Sequence, residues 1–297
     1  MTELINNGES DRLVSIVTDS VAQVPQELAE KLSIGIVPSV LIMNGKEYLD
    51  GIDIETQSLY QEMRKKELII QTTAPPVGFF YRAFEEKLNA GVNSVLYIGL
   101  TSQLSATFSS AEAAAHMITE KFPEQSIELY DTKTATIAQG FIAIEAAKLA
   151  RRGEPLGEIL DRAKKTRNRV GFVASLETLE YLVRGGRIGR VAYMMGSLIK
   201  ILPIVTIDDN GYVAPLARVR GDHRVLTKIV ETVAQRVEGY RELRLAIMHA
   251  DASDKLLELE ELIRYKLDPT ELSYTDFTPV MGAHTGPGVI GLAYYFE

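Results

Sequence analysis

The alternation of short apolar runs with amphipathic segments predicts an α/β protein of two domains, the first on a parallel sheet and the second on a mixed sheet. Three observations carry the prediction. In the first half, strand-length runs alternate with helix-length segments, the βαβα order of a parallel sheet covered by helices. Beyond residue 168 the connections shorten. There Asp208-Asp209-Asn210-Gly211, between two apolar runs, reads as a hairpin turn, which makes the second sheet mixed. The length of 297 residues suits two ordinary domains, divided at 1–167 and 168–297.

Each element has its own signal. Residues 1–11 are polar, with Glu3, Glu9 and Asp11, and form a loose lead-in; a secretory signal needs a basic start and an apolar stretch. The run 13–17 is a strand that ends at Thr18-Asp19-Ser20. Pro25 opens a helix through about residue 31, because its fixed φ suits a first helical turn. The stretch 36–43 is a second strand, turning at the hairpin pair Asn44-Gly45. Residues 56–66 form a helix with Leu59, Tyr60 and Met63 on one face. Pro75-Pro76 leads into a helix at 77–88, followed by a strand at 94–98 and an alanine-rich helix at 105–121. A strand at 127–130 and a helix at 136–152 with small, close-packing residues complete the parallel pattern.

Gly153-Glu154-Pro155 interrupts the helical period before a helix at 156–168, whose Lys and Arg residues form a solvated face. The second domain then reads as a strand at 170–174 and a helix at 176–183. A hairpin of 201–207 and 212–217 follows, then a helix at 225–237, a strand at 243–249 and a helix at 253–267. Strands at 272–277 and 289–296 close the chain. The apolar stretch 191–207 contains Lys200 and Pro203, too interrupted for a membrane span, and predicts a buried helix running into a strand.

Composition narrows the function. A net charge of −8 disfavours a nucleic-acid partner, which requires a basic face. Without cysteine there are no disulfides, thiolate zinc sites or cysteine nucleophiles. No GxxxxGK[ST] and no GxSxG occurs, so neither a Walker-type ATP site nor a hydrolase elbow is expected. The four histidines, His116, His223, His249 and His284, show no metal-ligand spacing, and no metal is expected. His249 ends a strand and reads as structural or as a helix-cap contact; His116 reads as a surface or packing residue. A soluble cytoplasmic protein is the expectation.

Three polar loops follow strands: Thr18-Asp19-Ser20, Thr101-Ser102-Gln103 and Asp131-Thr132-Lys133-Thr134. Ligands of parallel sheets bind outside the carboxyl ends of the strands, while Ser, Thr and Asp are also the preferred helix N-caps. Thr72-Thr73 before Pro75-Pro76 and Ser105 before the alanine-rich helix carry the same two readings, cap or anion donor. Two glycine-rich segments, Arg184-Gly185-Gly186-Arg187 and His284-Thr285-Gly286-Pro287-Gly288, put guanidinium groups, an imidazole and backbone N–H groups into turns. They read either as a carboxylate or phosphate site or as tight turns with solvated side chains.

Together these residues resemble the DegV family. Asp19-Ser20, Thr72-Thr73-Ala74-Pro75, the run 101–108 (Thr-Ser-Gln-Leu-Ser-Ala-Thr-Phe), the run 179–188 through Arg-Gly-Gly-Arg-Ile, and His284-Thr285-Gly286-Pro287-Gly288 occur in the family's order and span nearly the whole chain after the lead-in. The resemblance implies two α/β domains with a long-chain fatty acid, such as palmitate, in a tunnel between them. It implies that the protein is the lipid-binding subunit of a bacterial fatty acid kinase rather than a complete enzyme, without a cofactor of its own. A separate ATP-binding kinase subunit would phosphorylate the bound carboxylate. By the same resemblance Thr72 and Ser105 bind the carboxylate, and Arg187 and His284 stand where the acyl-phosphate head forms. The family's Ser-Gln is replaced here by Thr73-Ala74 and its Ser-Gly by Ser105-Ala106, where the added Cβ crowds close approach.

Two other functions stay open on the residues alone. One is a stand-alone phosphotransfer or hydrolytic enzyme with His284 as acid–base and Arg187 as phosphate clamp. The other is a lipid-sensing protein without phosphorylation. Met194, Met195 and Leu198 are candidates for lining an acyl tail, or are ordinary core.

Overall fold

The computed structural model describes residues 14–65, 68, 70–194 and 201–297. The lead-in, Met195 and Leu198 lie outside the described residues. The first domain comprises β1 (Val14–Asp19), α1 (Gln26–Leu32), β2 (Gly35–Val37), β3 (Val40–Met43), β4 (Lys46–Leu49), α2 (Thr56–Lys65), β5 (Ile70–Thr73), α3 (Val77–Asn89), β6 (Ser94–Gly99), α4 (Thr107–Lys121), β7 (Ser126–Asp131), α5 (Thr136–Arg151) and α6 (Leu156–Arg167). Its main sheet has the order β2-β1-β6-β7 with every pairing parallel. The second domain follows with β8 (Val170–Ser175), α7 (Glu180–Arg184), a 3₁₀ segment Gly189–Met194, β9 (Ile201–Ile207), β10 (Val213–Arg220), α8 (Asp222–Arg236), β11 (Leu243–His249), α9 (Leu256–Lys266), β12 (Glu271–Asp276), α10 (Pro279–Thr285) and β13 (Ile290–Phe296). Its sheet, β10-β9-β8-β13-β11-β12, is mixed: only β11 and β12 pair in parallel. No helix among the described residues is long and apolar enough to cross a membrane.

Four local readings are corrected. The stretch 36–43 is two strands, not one. Pro38 has no N–H to give a ladder, so β2 ends at Val37 and the chain enters a separate antiparallel sheet, β4-β3-β5. The hairpin turn itself stands as read, with positive φ at both Asn44 (52°) and Gly45 (76°), the type I′ signature. Thr72-Thr73, read as residues just before a helix, belong to a strand: β5 pairs with β3 over Val40↔Thr73 to Met43↔Ile70 and puts Thr72 on its ladder rather than at a helix start. The helix expected over 176–183 forms only as α7; of the buried helix expected from residue 191 onward, 191–194 belong to a 3₁₀ segment with Val191 buried and Tyr193 exposed, and 195–200 lie outside the described residues. Finally, the glycine-rich segment 284–288, read as a turn, begins inside a helix: α10 carries His284 in its last turn and opens with Pro279 at a position that suits proline.

Helix α5 joins the two halves. Every residue from Thr136 to Ala147 is buried, the pattern of a helix enclosed on all sides. Its Ile142 shares one core with Ile16 of β1, Phe172 of β8 and Tyr295 of β13. Gly140 is needed there because a Cβ would overlap the carbonyl oxygen of Ala22. A second core, including Ile229, Leu245 and Leu292, lies on the far face of the mixed sheet under α8 and α9. At the rim of the contact Glu145 of α5 accepts from Lys148, Arg162 of α6 and Arg244 of β11. This tie between the halves holds the Glu145 carboxyl down at about 2 despite burial, through the three cations.

Candidate functional site

A cavity with about 930 Å³ of empty space, including its mouth, opens where the carboxyl edge of the parallel sheet meets one face of the mixed sheet. Its walls are mainly apolar: Val21 and Leu100 from the first domain, Phe172, Ala174 and Val205 from the mixed sheet, Val280 from α10. Thr72, Ser105, Arg187 and His284 all line this one space.

Their mutual contacts are specific. The Thr72 Oγ1 on β5 lies 2.7 Å from Nε2 of His284 on α10. Arg187, in the turn after α7, donates Nε–H to the Leu104 carbonyl at 2.9 Å and Nη1–H to the Gly185 carbonyl. The first of these bonds ties the guanidinium to the loop that carries Ser105. Ser105 Oγ sits 2.8 Å from Thr107 Oγ1 and accepts from Thr107 N–H at 3.2 Å. It therefore satisfies the first N–H of α4 from one residue before the N-cap Ala106, and it lines the cavity as well. Thr107 lines the space beside it; its spacing of two from Ser105 in front of a helix was the available signal.

Burial and the nearby Arg187 charge push the His284 pKa down to about 4, so the ring is neutral at pH 7. Its Nδ1 is buried and has no hydrogen-bond partner among the described residues. Next to it lies Gly185, and farther along the same seam Gly286 packs on the Tyr181 ring and Gly288 on Glu177. The two glycine-rich segments thus interlock. Their N–H groups are spent inside the protein, Arg187 N on Leu182 O, Gly286 N on Gly282 O and Gly288 N on Ala250 O. These N–H groups follow the tight-turn reading of the two segments: closing the turns consumes the backbone donors.

The three polar edge loops serve mostly structural ends. Asp19 is fully buried and accepts from Tyr97 OH (2.8 Å), Leu100 N–H (3.0 Å), Gln139 Nε2 (3.0 Å) and Val21 N–H (3.2 Å). It plugs the crevice between β1 and β6, where such sheets usually bind a ligand, and holds the backbone of the cavity residues Val21 and Leu100. Thr101 donates to Gly211 O at 3.2 Å, docking the β9–β10 turn onto the first domain. Asp131 pairs with Lys133 and accepts from Ser102.

The remaining candidates fall elsewhere. His249 Nε2 pairs with Asp276 at 3.0 Å, a contact between adjacent strands. His116 is exposed on α4. Met194 packs against the shared core. Among the described residues no group of three or more His, Asp or Glu side chains is placed to hold a metal. Tyr60, read only as a helix-face residue, donates to Phe277 O at 2.7 Å and so helps fix the start of α10.

A family model for the DegV family of uncharacterised proteins matches residues 13–297. The chain belongs to the DegV family. A DegV domain-containing protein of Clostridium perfringens is 32% identical over 284 residues, covering 96% of this chain and 99% of its own. A DegV family protein of Thermus thermophilus, described by its fatty acid binding, superposes with a TM-score of 0.88 at 28% identity, over 96% of this chain and 100% of that one. DegV of Bacillus subtilis, described as a fatty acid binding protein, gives a TM-score of 0.82 at 29% identity, over 96% and 100%. These DegV relatives share the two α/β domains.

Proposed function

We propose that this DegV protein binds a long-chain fatty acid such as palmitate in the cavity and presents its carboxylate to a separate ATP-binding kinase subunit. The observation that carries the reading is one mainly apolar space into which Thr72, Ser105, Arg187 and His284 converge from four distant segments. Relatives that bind fatty acids support it. Burying roughly fourteen methylenes of a C16 chain contributes on the order of 11 kcal/mol at about 0.8 kcal/mol each, before the cost of immobilising the ligand. The carboxylate needs donors in such a place, because an unpaired buried charge is expensive. Thr72 and Ser105 supply hydroxyls, and Arg187 supplies charge.

In the proposed reaction a carboxylate oxygen attacks the γ-phosphorus of ATP held by the partner. The bond to the bridging oxygen breaks and ADP leaves. The carboxylate is already ionised, so no base is required. Arg187 offsets the added negative charge of the acyl phosphate, and the enclosing walls restrict water. With ATP as co-substrate, the proposed location is the cytoplasm.

His284 disfavours the reading as a stand-alone acid–base enzyme. A general base works best with a pKa near ambient pH and an orienting partner, whereas this ring sits at about 4 with Nδ1 unbonded. Native mass spectrometry of the purified protein, followed by lipid extraction, tests binding: a co-purifying fatty acid is expected, and delipidation with no change in mass counts against it. Acyl-phosphate formation from palmitate and ATP, with and without the kinase subunit, then separates presentation from mere sensing.

A further inference from the structure

Gly185 and Gly186 stand side by side after α7, and two different constraints act on them. Gly186 has a φ of 72°, a conformation that favours glycine, yet among the described residues nothing lies within 4 Å of where its Cβ would stand. Gly185 has an ordinary φ of −77°, open to any residue. There the constraint is space. A Cβ at Gly185 would overlap Nδ1 of His284, stand 2.9 Å from its Cε1 and 3.2 Å from the Tyr181 carbonyl oxygen. The ring would have to retreat by about an ångström to restore ordinary contact. On its other edge Nε2 is already 2.7 Å from Thr72 Oγ1.

The Cα of Gly185 therefore covers Nδ1, and among the described residues the ring's only hydrogen-bond partner is on the Nε2 side. A neutral imidazole carries one N–H. A buried N–H without an acceptor is rarer and costlier than an unfilled lone pair, so the hydrogen belongs on Nε2. It is then donated to Thr72 Oγ1. Thr72, with its oxygen accepting, has its own hydroxyl hydrogen left for another acceptor, and its side chain lines the cavity. With the opposite tautomer that hydrogen would be spent on His284.

We propose that Gly185 is a positioning residue: by covering Nδ1 of His284 it selects the Nε2–H form and turns the Thr72 hydroxyl hydrogen toward the ligand carboxylate. The last clause rests on the fatty-acid reading above; the contact between Gly185 and the ring does not.

A double-mutant cycle tests the contact. Gly185→Ala is made in the parent and in His284→Ala, and urea midpoints are compared. The expected result is a clear drop in the parent and less than half that drop once the imidazole is gone. If Gly185→Ala folds only in the His284→Ala background, that also supports the contact; equal drops in both backgrounds overturn it. Nitrogen-15 NMR of the imidazoles in the lipid-free protein tests the tautomer. His284 should show a protonated Nε2 in the parent, with its signals displaced in Gly185→Ala and retained in the strained control Gly186→Ala. A proton on Nδ1 in the parent, or unchanged His284 signals in Gly185→Ala, overturns the proposal. Palmitate titration should show binding weakened about tenfold in Gly185→Ala, the effect of a misdirected hydrogen bond to a charged group. Unchanged affinity overturns the claim about Thr72. A parent that binds no palmitate counts against the fatty-acid reading, while the cycle and the NMR still decide the contact between Gly185 and His284.

Discussion

Thr72 and His284 are 212 residues apart in sequence, and their side chains meet at 2.7 Å across the seam between the domains. The pair joins a strand of the small antiparallel sheet to the last turn of α10. Each side chain thereby depends on the other domain for its geometry, and the head of the cavity exists only in the assembled fold.

Loss of a first-domain hydroxyl should weaken ligand binding. Thr72→Val keeps the side-chain volume and Ser105→Ala removes one oxygen; each is expected to cost about 1–3 kcal/mol of palmitate binding through a lost donor to a buried charge. Isothermal titration measures it. Parent-like affinity in both variants would reduce these residues to a strand position and a helix cap.

Arg187 and His284 should matter more for the acyl phosphate than for the carboxylate. Arg187→Ala and His284→Ala are expected to keep much of their palmitate affinity and lose acyl-phosphate formation with the kinase subunit and ATP, since contacts strengthened late in a reaction lower its barrier selectively. Titration and a coupled phosphorylation assay on the same preparations decide. Equal losses in both would assign the residue to the ground-state carboxylate.

The low His284 pKa has a stability consequence. Unfolding returns the ring to about 6.5, whereas folded it titrates near 4. Between these values the unfolded chain binds more protons, so stability falls as pH drops from about 6.5 to 4. The loss is on the order of 3 kcal/mol at about 1.4 kcal/mol per unit. Urea unfolding of the lipid-free parent across this window should be steeper in pH than that of His284→Ala. Parallel curves would show that the ring is not held neutral.

Glu145 is the clearest structural tie between the halves. Its side chain is 6% exposed, while its partners Lys148, Arg162 and Arg244 are 35%, 28% and 23% exposed. Glu145→Ala leaves three cations without their common acceptor. A cost of about 3 kcal/mol is expected, the low end for breaking a buried pair because the cations keep some water. Denaturant titration checks it; a change below about 1 kcal/mol would place the tie among ordinary surface pairs.

By itself the sequence determined the class of fold and most of its elements, because periodicity, proline entry points and turn pairs act over a few residues. The alternation of β1, β6 and β7 with α3, α4 and α5, the Asn44-Gly45 hairpin and the Asp208–Gly211 turn were all legible in this way. It also held the ordered motifs that point to the DegV family. Tertiary structure decided the rest. β5 has four residues and α10 seven, too short to announce themselves by periodicity and stable only where β3, Tyr60 and the seam between the domains hold them. Pro38 divided one apparent strand between two sheets. The N–H groups of the glycine-rich turns were consumed by backbone carbonyls, one of them on the remote Ala250, and Asp19 filled the crevice that the sheet order offered to a ligand. That Gly185 serves His284, and that His284 serves Thr72, follows from contacts between residues remote in the chain, which no local pattern encodes.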